Sequence, residues 1–395
     1  MIDDVRRQAS ELIERGHAAI IRSDDAAAFA EFSEAATLCH GHSQVGDVLA
    51  RALAGLAQLE RARGAIAEAD RLVRRASVAL ARAASPEAIA AVDVAVEIAD
   101  STGCGDPEAE LRRALGLATA IADESVRQLA TVRVLRALGN VQRLRGRYRE
   151  AASTFRDALR VASLRSDVNS LERAGVLNDL GVVSKFAGAW AEAVRCYAEV
   201  RAIQDSHGLG ASPDRATLLH NLGGLEHARG DLERAEPFAR QALGLHAQTL
   251  GDDHLATDLD RVALAAILDG RGNSSEAREL LEAAIPRLRT RLGAHLEVAV
   301  ALNNLGAIAQ RAGDLERAEG CYREALAIKG MRAGEDSPTL AGTMNNLGTV
   351  LRRKGSLEEA SAIYRRAIAL LEAVASDDHP TLQALRRNLG MIGRS

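Results

Sequence analysis

Asparagine recurs at one helical register in this 395-residue sequence, and its side chain is the group best suited to ligand chemistry. Three asparagines lie three residues before a recurrent glycine and four lie two residues before it: Asn178, Asn303 and Asn345, then Asn221, Asn304, Asn346 and Asn388. Asparagine is unfavourable within a helix because its amide competes for backbone hydrogen bonds, so the recurrence needs a cause. One amide supplies a donor and an acceptor, and therefore matches the peptide group of an extended ligand of any sequence.

The column two residues before the glycine also permits a purely structural interpretation. Its asparagines could bond to the backbone of the neighbouring repeat and only hold the repeats together. Other polar and basic residues lie on the same helix face. They stand three residues before, one residue after or four residues after the recurrent glycine. They are Arg136, Asn140, Arg143, Lys185, His220, Gln310 and Arg352. Few acids accompany these cations and Arg387, so we expect a ligand with acidic character.

Catalytic motifs are missing from the sequence. It contains no phosphate-loop spacing of glycines, no paired histidines at zinc-protease spacing and no Gly-x-Ser-x-Gly. No candidate nucleophile, general acid or general base lies outside the repeated positions. We therefore predict that the protein is not an enzyme and that it has no catalytic residue, metal site or cofactor.

Histidines recur at the ends of repeats, as His254, His295 and His379, with Ser337 at the corresponding turn of the copy between. We predict that they cap the next helix rather than bind a metal. Trp190, the only tryptophan, shares a repeat position with leucines and a tyrosine, so we predict that it packs. The cysteines are far apart and are predicted to be reduced packing residues: Cys39, Cys104, Cys196 and Cys321.

The elements that must position these side chains are copies of one unit. A small residue recurs at steps of 41 or 42 residues: Gly16, Ala57, Ile98, Gly139, Gly181, Gly223, Ala265, Gly306, Gly348 and Gly390. In most copies a second glycine follows: Gly64, Gly146, Gly188, Gly230, Gly272, Gly313 and Gly355. The small residue permits a close helix crossing, and the second glycine can end a helix in the left-handed conformation. The period predicts a solenoid of helical hairpins.

These positions resemble the tetratricopeptide repeat. The resemblance rests on Leu219-His-Asn-Leu-Gly-Gly through Gly230-Asp-Leu-Glu-Arg-Ala-Glu, on Leu302-Asn-Asn-Leu-Gly-Ala through Gly313-Asp-Leu-Glu-Arg-Ala-Glu, and on the loops Gly251-Asp-Asp-His and Asp377-Asp-His-Pro. The unit is longer than the usual 34 residues and resembles the kinesin-light-chain subtype. The resemblance implies a right-handed superhelix whose first helices line a concave groove, where asparagines and basic residues bind peptides.

We therefore predict an all-α fold, a single solenoid of about nine antiparallel hairpins and a closing helix. The predicted repeats cover residues 1–40, 41–82, 83–123, 124–165, 166–208, 209–251, 252–292, 293–333 and 334–376, with the closing helix at 377–395. The third repeat fits only with a shifted register, because Glu97 falls at a core leucine position. Repeat seven carries Val262, Ala263, Ala266 and Asp269 on the groove face, which could form an apolar patch or mark a worn repeat.

Composition agrees with a helical repeat and gives no bias toward nucleic acid. Hydrophobic residues make up 47% of the sequence and aromatic residues only 3%. The 50 basic and 54 acidic side chains give a formal charge of -4 and are mixed at short range. The amino terminus lacks an apolar signal core and no apolar run is long enough to span a bilayer. We predict a cytoplasmic protein with no nucleic-acid partner and no membrane insertion.

The predicted function is a non-catalytic scaffold or adaptor that binds an extended, partly acidic peptide or partner segment in its concave groove. The alternative is a peptide or small-molecule sensor that regulates a separate effector through a change in superhelix shape. A homo-oligomer is compatible with either function. The sequence does not identify the partner.

Overall fold

The structure, a computed structural model, describes residues 2–21, 24–63, 65–83, 88–99, 106–163, 170–372 and 380–392. Within these residues every regular element is helical, with nineteen α-helices and two 3-10 turns. The chain divides within one helix into two compact units, Met1–Asn221 and Leu222–Ser395. None of the described helices has the length and apolar character that crossing a membrane requires.

The first unit contains ten helices and the start of an eleventh. They are α1 (Ile2–Ile21), α2 (Asp25–Cys39), α3 (Gly46–Ala62), α4 (Ile66–Arg82), α5 (Ala88–Ala99), α6 (Pro107–Ala118), α7 (Glu124–Leu144), α8 (Tyr148–Ala162), α9 (Ser170–Phe186), α10 (Trp190–Ser206) and α11 (Pro213–Ala228), with a 3-10 turn at Ser43–Val45. Consecutive helices from α1 to α10 pack in pairs as five hairpins, and the first helices of neighbouring hairpins also contact each other.

The second unit continues from α11 with eight further helices. They are α12 (Leu232–Leu250), α13 (Leu255–Gly270), α14 (Ser274–Leu292), α15 (Leu296–Ala312), α16 (Leu315–Ala333), α17 (Ala341–Arg353), α18 (Leu357–Glu372) and α19 (Pro380–Ile392), with a 3-10 turn at Pro338–Leu340. Three hairpins follow α12, and α19 packs on α17 and α18. The hairpins and the final helix confirm the predicted all-α hairpin fold, whereas the repeat boundaries remain predictions.

Two kinds of glycine shape most of the hairpins. The turn glycines have positive φ, as in Gly146 (74°) and Gly313 (84°), which a residue with a side chain rarely adopts. In five hairpins the crossing glycine lies under an aromatic ring of the second helix, and a Cβ at Gly306 would be 2.8 Å from the ring of Tyr322. Gly223 instead faces the backbone of Ala239. The hairpin therefore turns at one glycine and closes at the other. Gly64 lies outside the described residues.

Two of the recurrent histidines of the second unit cap the start of the next helix, as predicted. His254 accepts a hydrogen bond from the backbone N–H of Ala256 (3.2 Å), and His295 accepts one from Glu297 (3.3 Å). His379 lies outside the described residues. The packing prediction for Trp190 is wrong, because its side chain is 37% exposed at the start of α10, beside an exposed hairpin turn.

The cysteines that the structure describes are free and buried, as predicted for packing residues: Cys39, Cys196 and Cys321. Burial raises the pKa of the Cys39 and Cys196 thiols to about 11, which keeps both protonated and unreactive at neutral pH. Cys104 lies outside the described residues.

The irregular third repeat places buried acids where other repeats place apolar residues. Glu97 is buried at the predicted core position and accepts a hydrogen bond from Arg61 (3.0 Å). Asp93, on the same helix, is bonded by Arg51 (3.2 Å) and Arg133 (2.7 Å), which belong to the neighbouring repeats. Ion pairs thus replace leucine contacts between these hairpins, which explains why the leucine pattern fails here.

Candidate functional site

Asparagine side chains on successive first helices bond to one another in register. In each bond the donor is Nδ2 of the asparagine that lies two residues before its own glycine. The acceptor is Oδ1 of the asparagine that lies three residues before the glycine of the preceding repeat. The pairs are Asn221 with Asn178 (2.7 Å), Asn346 with Asn303 (3.4 Å) and Asn388 with Asn345 (2.8 Å). We call these bonds the asparagine ladder, and the helix face that carries them the ladder face.

Arg136 and Asp179 occupy the same two columns and form a charged version of this bond. Nε of Arg136 lies 2.8 Å from Oδ2 of Asp179. The guanidinium lies against Gly175, where an added Cβ would be only 3.0 Å away. Arg136 was predicted as a ligand-binding cation, but its charge is met by the next repeat. It therefore contributes to repeat docking.

The column two residues before the glycine holds neighbouring repeats together, as the structural interpretation proposed. Its partner is a side-chain amide oxygen rather than a backbone group, and Asn221 is only 8% exposed. The ladder is interrupted before Asn304, because the acceptor column of the preceding repeat holds the buried Val262, which has no amide oxygen.

Repeat seven forms no open apolar patch on its groove positions. Val262 is buried in the core of the second unit. Asp269 accepts a hydrogen bond from Ser274 (2.9 Å) and pairs with Arg311. These contacts favour a structural variant of the repeat over a pocket for a hydrophobic ligand side chain.

The ladder leaves one end of each acceptor amide available. Asn178, Asn303 and Asn345 use Oδ1 within the ladder, and their NH₂ groups donate to no other described residue. All three side chains are only half-buried. Asn178 lines a cavity of about 250 Å³ in the first unit, and Asn303 and Asn345 line one of about 430 Å³ in the second. The ladder face therefore offers donors that can bind carbonyl or carboxylate oxygens.

The two cavities lie at equivalent positions of their repeats. Five residues of the first correspond to five of the second in order along the chain: Arg136 to Asn303, Gly175 to Gly342, Asn178 to Asn345, Asp214 to Thr381 and Thr217 to Ala384. The repeat thus generates the same kind of cavity once in each unit, with different charges on its walls.

Two cations of the first unit have no acidic partner among the residues that the structure describes. Nε of Arg143 donates only to Oδ1 of Asn140 (3.3 Å), and Nζ of Lys185 lies 4.9 Å from the ring centroid of Phe186. Burial, followed by the charge of Arg143, holds the pKa of Lys185 below its usual range. Among the described residues no carboxylate forms an ion pair with either cation, so this part of the ladder face favours an anion. In the second unit, Nε of Arg352 has no hydrogen-bond partner in the described chain.

The remaining predicted site residues divide between structural and open positions. Gln310 has a structural contact, because its Oε1 accepts a hydrogen bond from the buried Tyr322 hydroxyl at 3.0 Å. Its backbone oxygen also accepts one from Arg353 (2.7 Å). Asn140, His220, Asn304 and Asn346 are half-buried. Of this group only Asn346 lines one of the two cavities.

Lys329 lines the second-unit cavity, at a position that the sequence pattern did not indicate. It lies on α16, a second helix, and its Nζ donates to Oγ1 of Thr343 on α17 at 2.8 Å. Burial lowers the pKa of Lys329. The polar columns in the sequence lie on first helices, so they gave no signal for a lysine on a second helix.

Comparison with known proteins identifies the repeat. Patterns described as the tetratricopeptide repeat match residues 134–168, 172–245, 214–290 and 297–373, which is more than half of the chain. No curated protein matches this sequence significantly.

Similar solved structures include BtubC (BKLC) from P. vanneervenii, which is 23% identical with a TM-score of 0.47, over 57% of this chain and 91% of that chain. Another contains the nearly identical TPR-like repeats of a putative kinesin light chain from Podosopora anserina. It is 21% identical with a TM-score of 0.40, and the match covers 46% of this chain and 87% of that chain. A Rap protein complexed with Competence and Sporulation Factor is 12% identical with a TM-score of 0.56, and the match covers 87% of this chain and 98% of that chain. The repeat matches and the stacked hairpins agree, and the chain belongs to the tetratricopeptide repeat proteins.

Proposed function

We propose that this protein is a non-catalytic scaffold or adaptor that binds an extended peptide or partner segment along the ladder face. Tetratricopeptide repeats generally serve as interaction scaffolds. One observation carries the proposal: the ladder occupies the amide oxygens of Asn178, Asn303 and Asn345 and leaves their NH₂ groups beside open cavities.

An extended peptide suits this face because its backbone carbonyls are not used in secondary structure. Each free NH₂ group can donate to one such carbonyl, whatever the side chains of the ligand. The ladder fixes the orientation of each donor before binding, so little ordering is needed when the ligand arrives. This arrangement favours ligands that present acceptors, and it would not favour ligands rich in donors.

Charge adds a preference for acidic ligands. Arg143 and Lys185 lie at the same position of adjacent repeats, and no carboxylate in the described part of the chain pairs with them. A ligand carboxylate beside them would replace the missing counter-charge. The Rap protein that shares this fold was solved with a bound factor, which is compatible with ligand binding by such a scaffold. The cytoplasmic location and the sensor alternative remain predictions.

Selection from a random-sequence peptide library on the immobilised full chain would test the proposal. The double variant Asn178→Asp, Asn345→Asp keeps both ladder acceptors and removes both free NH₂ groups. We expect selected peptides to bind this variant about tenfold or more weakly by calorimetry. Equal binding to both proteins would contradict the proposal and move the interaction surface elsewhere.

A matched control lies on the second helices. Arg289 of α14 pairs with Glu324 (2.6 Å) on an exposed surface, so Arg289→Gln should leave peptide binding unchanged. A pull-down from the native cell extract, comparing the wild type with the double variant, would then identify the natural partner.

A further inference from the structure

The end of α2, the first half of α3 and α4 border a cavity of about 590 Å³ in the first unit, which we call the basic cavity. Its interior is apolar, because the buried Cys39 and Leu53 line it. Its opening is basic, because the exposed Arg74, Arg75 and Arg82 of α4 line it as well. The volume falls within the range of small-molecule sites, and an apolar interior with a charged opening matches an amphiphilic ligand.

The positive charge of the basic cavity is not balanced from within. Its described lining contains no aspartate or glutamate, and none of its three arginines forms an ion pair with a described carboxylate. Burial, followed by the charge of Asp47, raises the pKa of the Cys39 thiol to about 11. Asp47 is itself already paired with Arg6 (2.8 Å). The cavity therefore favours an anion from outside the chain.

The second unit forms an equivalent cavity whose charges are balanced. It has a volume of about 450 Å³ and is bordered by α14, α15 and α16. Arg289 of α14 pairs with Glu324 of α16 (2.6 Å), and Arg317 pairs with Glu282 (2.6 Å). All four side chains line this cavity, so it needs no external counter-charge.

The first unit lacks the ion pair that joins α14 to α16. Counted from the small residue of each repeat, His40 takes the position of Arg289, and Arg75 takes the position of Glu324. Both His40 and Arg75 line the basic cavity, so two basic side chains stand where the second unit has opposite charges. A carboxylate or phosphate beside Arg75 would supply the negative charge that Glu324 supplies in the second unit.

We propose that the basic cavity binds a small amphiphile with a single hydrocarbon chain and an anionic head group, either a carboxylate or a phosphate. The arginines of α4 bind the head group, because the guanidinium fork matches the oxygens of both anions. The chain packs against Leu49, Leu53 and Val78. No residue of the asparagine ladder lines this cavity, so the site does not depend on the proposed peptide function.

Methyl NMR of protein labelled with ¹³C at leucine and valine would test the site directly. Titration with decyl phosphate, below its micelle concentration, should shift the Leu53 and Val78 signals in a saturable way. Leu302, the equivalent of Leu53 in the balanced cavity, should not respond. Decanol and inorganic phosphate, which lack the charge and the chain respectively, should bind about tenfold or more weakly. Equal shifts at Leu302, or equal affinity for decanol and decyl phosphate, would overturn the proposal.

Decanoate and decyl phosphate distinguish the two head groups. Saturable binding of either compound supports the site, and the tighter of the two identifies the head group. Binding of neither compound would overturn the proposal.

The double variant His40→Arg, Arg75→Glu copies the ion pair of the second unit into the basic cavity. It should fold normally, as judged by urea unfolding, but bind decyl phosphate about tenfold or more weakly, because the cavity then holds its own counter-charge. Val78→Gln, at a side chain that is 49% exposed, should weaken binding by removing apolar contact. Unchanged binding to the double variant would contradict the assignment of the basic opening as the anion site.

Arg71→Gln is the matched control on the same helix. Arg71 is exposed, pairs with Glu68 and does not line the cavity. The substitution lowers the net positive charge of α4 by the same amount as Arg75→Gln, so the two single variants should differ in decyl phosphate binding. Equal losses would mean that only the overall charge of the helix attracts the ligand, and would overturn the proposed site.

Discussion

Asn388 of α19 donates its side-chain N–H to Oδ1 of Asn345 in α17, at 2.8 Å, and so determines which end of the Asn345 amide remains available. Asn388 stabilises the contact between two helices, while Asn345 both accepts that bond and lines the cavity. One hydrogen bond thus links the docking of a repeat to the orientation of a donor on the ladder face. Substitutions at Asn345 and Asn388 should separate these two roles.

Asn345→Asp should separate stability from binding. The substituted carboxylate still accepts the bond from Asn388, so the free energy of unfolding should change by less than about 1 kcal/mol. The NH₂ donor of a residue that lines the cavity is lost, and an acidic ligand meets a like charge, so peptide binding should weaken about tenfold or more. Urea unfolding and calorimetry would measure the two effects.

Asn388→Ala is the complementary control. It removes the bond to Asn345 and should cost about 0.5 to 1.5 kcal/mol of stability, with a smaller effect on binding. If binding weakens in both variants only in proportion to the loss of stability, the ladder has no separate role in recognition.

Gly306→Ala should destabilise the hairpin of α15 and α16. The added Cβ would be 2.8 Å from the ring of Tyr322, and such overpacking costs about 1 to 3 kcal/mol. Gly320→Ala in the same hairpin meets no atom within 4 Å and should stabilise the helix by roughly 0.5 to 1 kcal/mol. Chemical denaturation would compare them, and equal effects would mean that the helix faces are wrongly assigned.

A second substitution should rescue this defect. Repeat seven already places Ala265 against a second helix that carries Leu281 at the position of Tyr322, and both are fully buried. The double variant Gly306→Ala, Tyr322→Leu should therefore be less destabilised than the sum of its single variants. Strict additivity would show that the ring is not the source of the clash.

Lys329→Met should stabilise the free protein. Burial places the pKa of Lys329 below its ordinary value of 10.5, so over the interval between the two values the unfolded chain binds more protons. Stability must then rise with pH through this interval, and the cost of the buried charge is fully present below it. The methionine variant should have a higher urea midpoint at neutral pH and lose this pH dependence. A lower midpoint would indicate that the ammonium supports the fold.

Arg143→Gln with Lys185→Gln should weaken the binding of acidic peptides about tenfold, because two cations that pair with no described carboxylate are lost. The remaining binding should depend less on salt, since ions screen the attraction that has been removed. Arg156, already paired with Glu192 (2.9 Å), provides a control at Arg156→Gln. Calorimetry at several salt concentrations would test this, and an unchanged salt dependence would move the acidic ligand away from Arg143 and Lys185.

The fold was predictable because its determinants act within single hairpins. Gly146 and Gly313 turn the chain locally, and Gly306 is closed by Tyr322 of the same hairpin. The pattern therefore recurs in the sequence wherever the structure recurs. The exposure of Trp190 was not predictable from its column, because the column fixes the helix position but not how far the neighbouring turn shields it.

The ladder face was only partly predictable. The polar columns were evident, but pairing requires knowledge of which columns meet across repeats. One signal could have revealed this pairing. Arg136 and Asp179 carry opposite charges in adjacent columns of successive repeats. Lys329 gave a weaker signal, since its position is apolar in most repeats. His246 and Asp260 form a hydrogen-bonded pair 14 residues apart, and comparing them with Lys329 and Thr343 at the same separation would have found it.

The ring-on-glycine contact also bears on how the protein forms during synthesis. In the first hairpin a Cβ at Gly16 would lie 2.8 Å from the ring of Phe32, so this contact needs only the first two helices. Because it is local, a chain leaving the ribosome can close this hairpin before later hairpins exist. Each completed hairpin then presents an apolar side on which the next can dock. The order of synthesis and the order of assembly can therefore be the same.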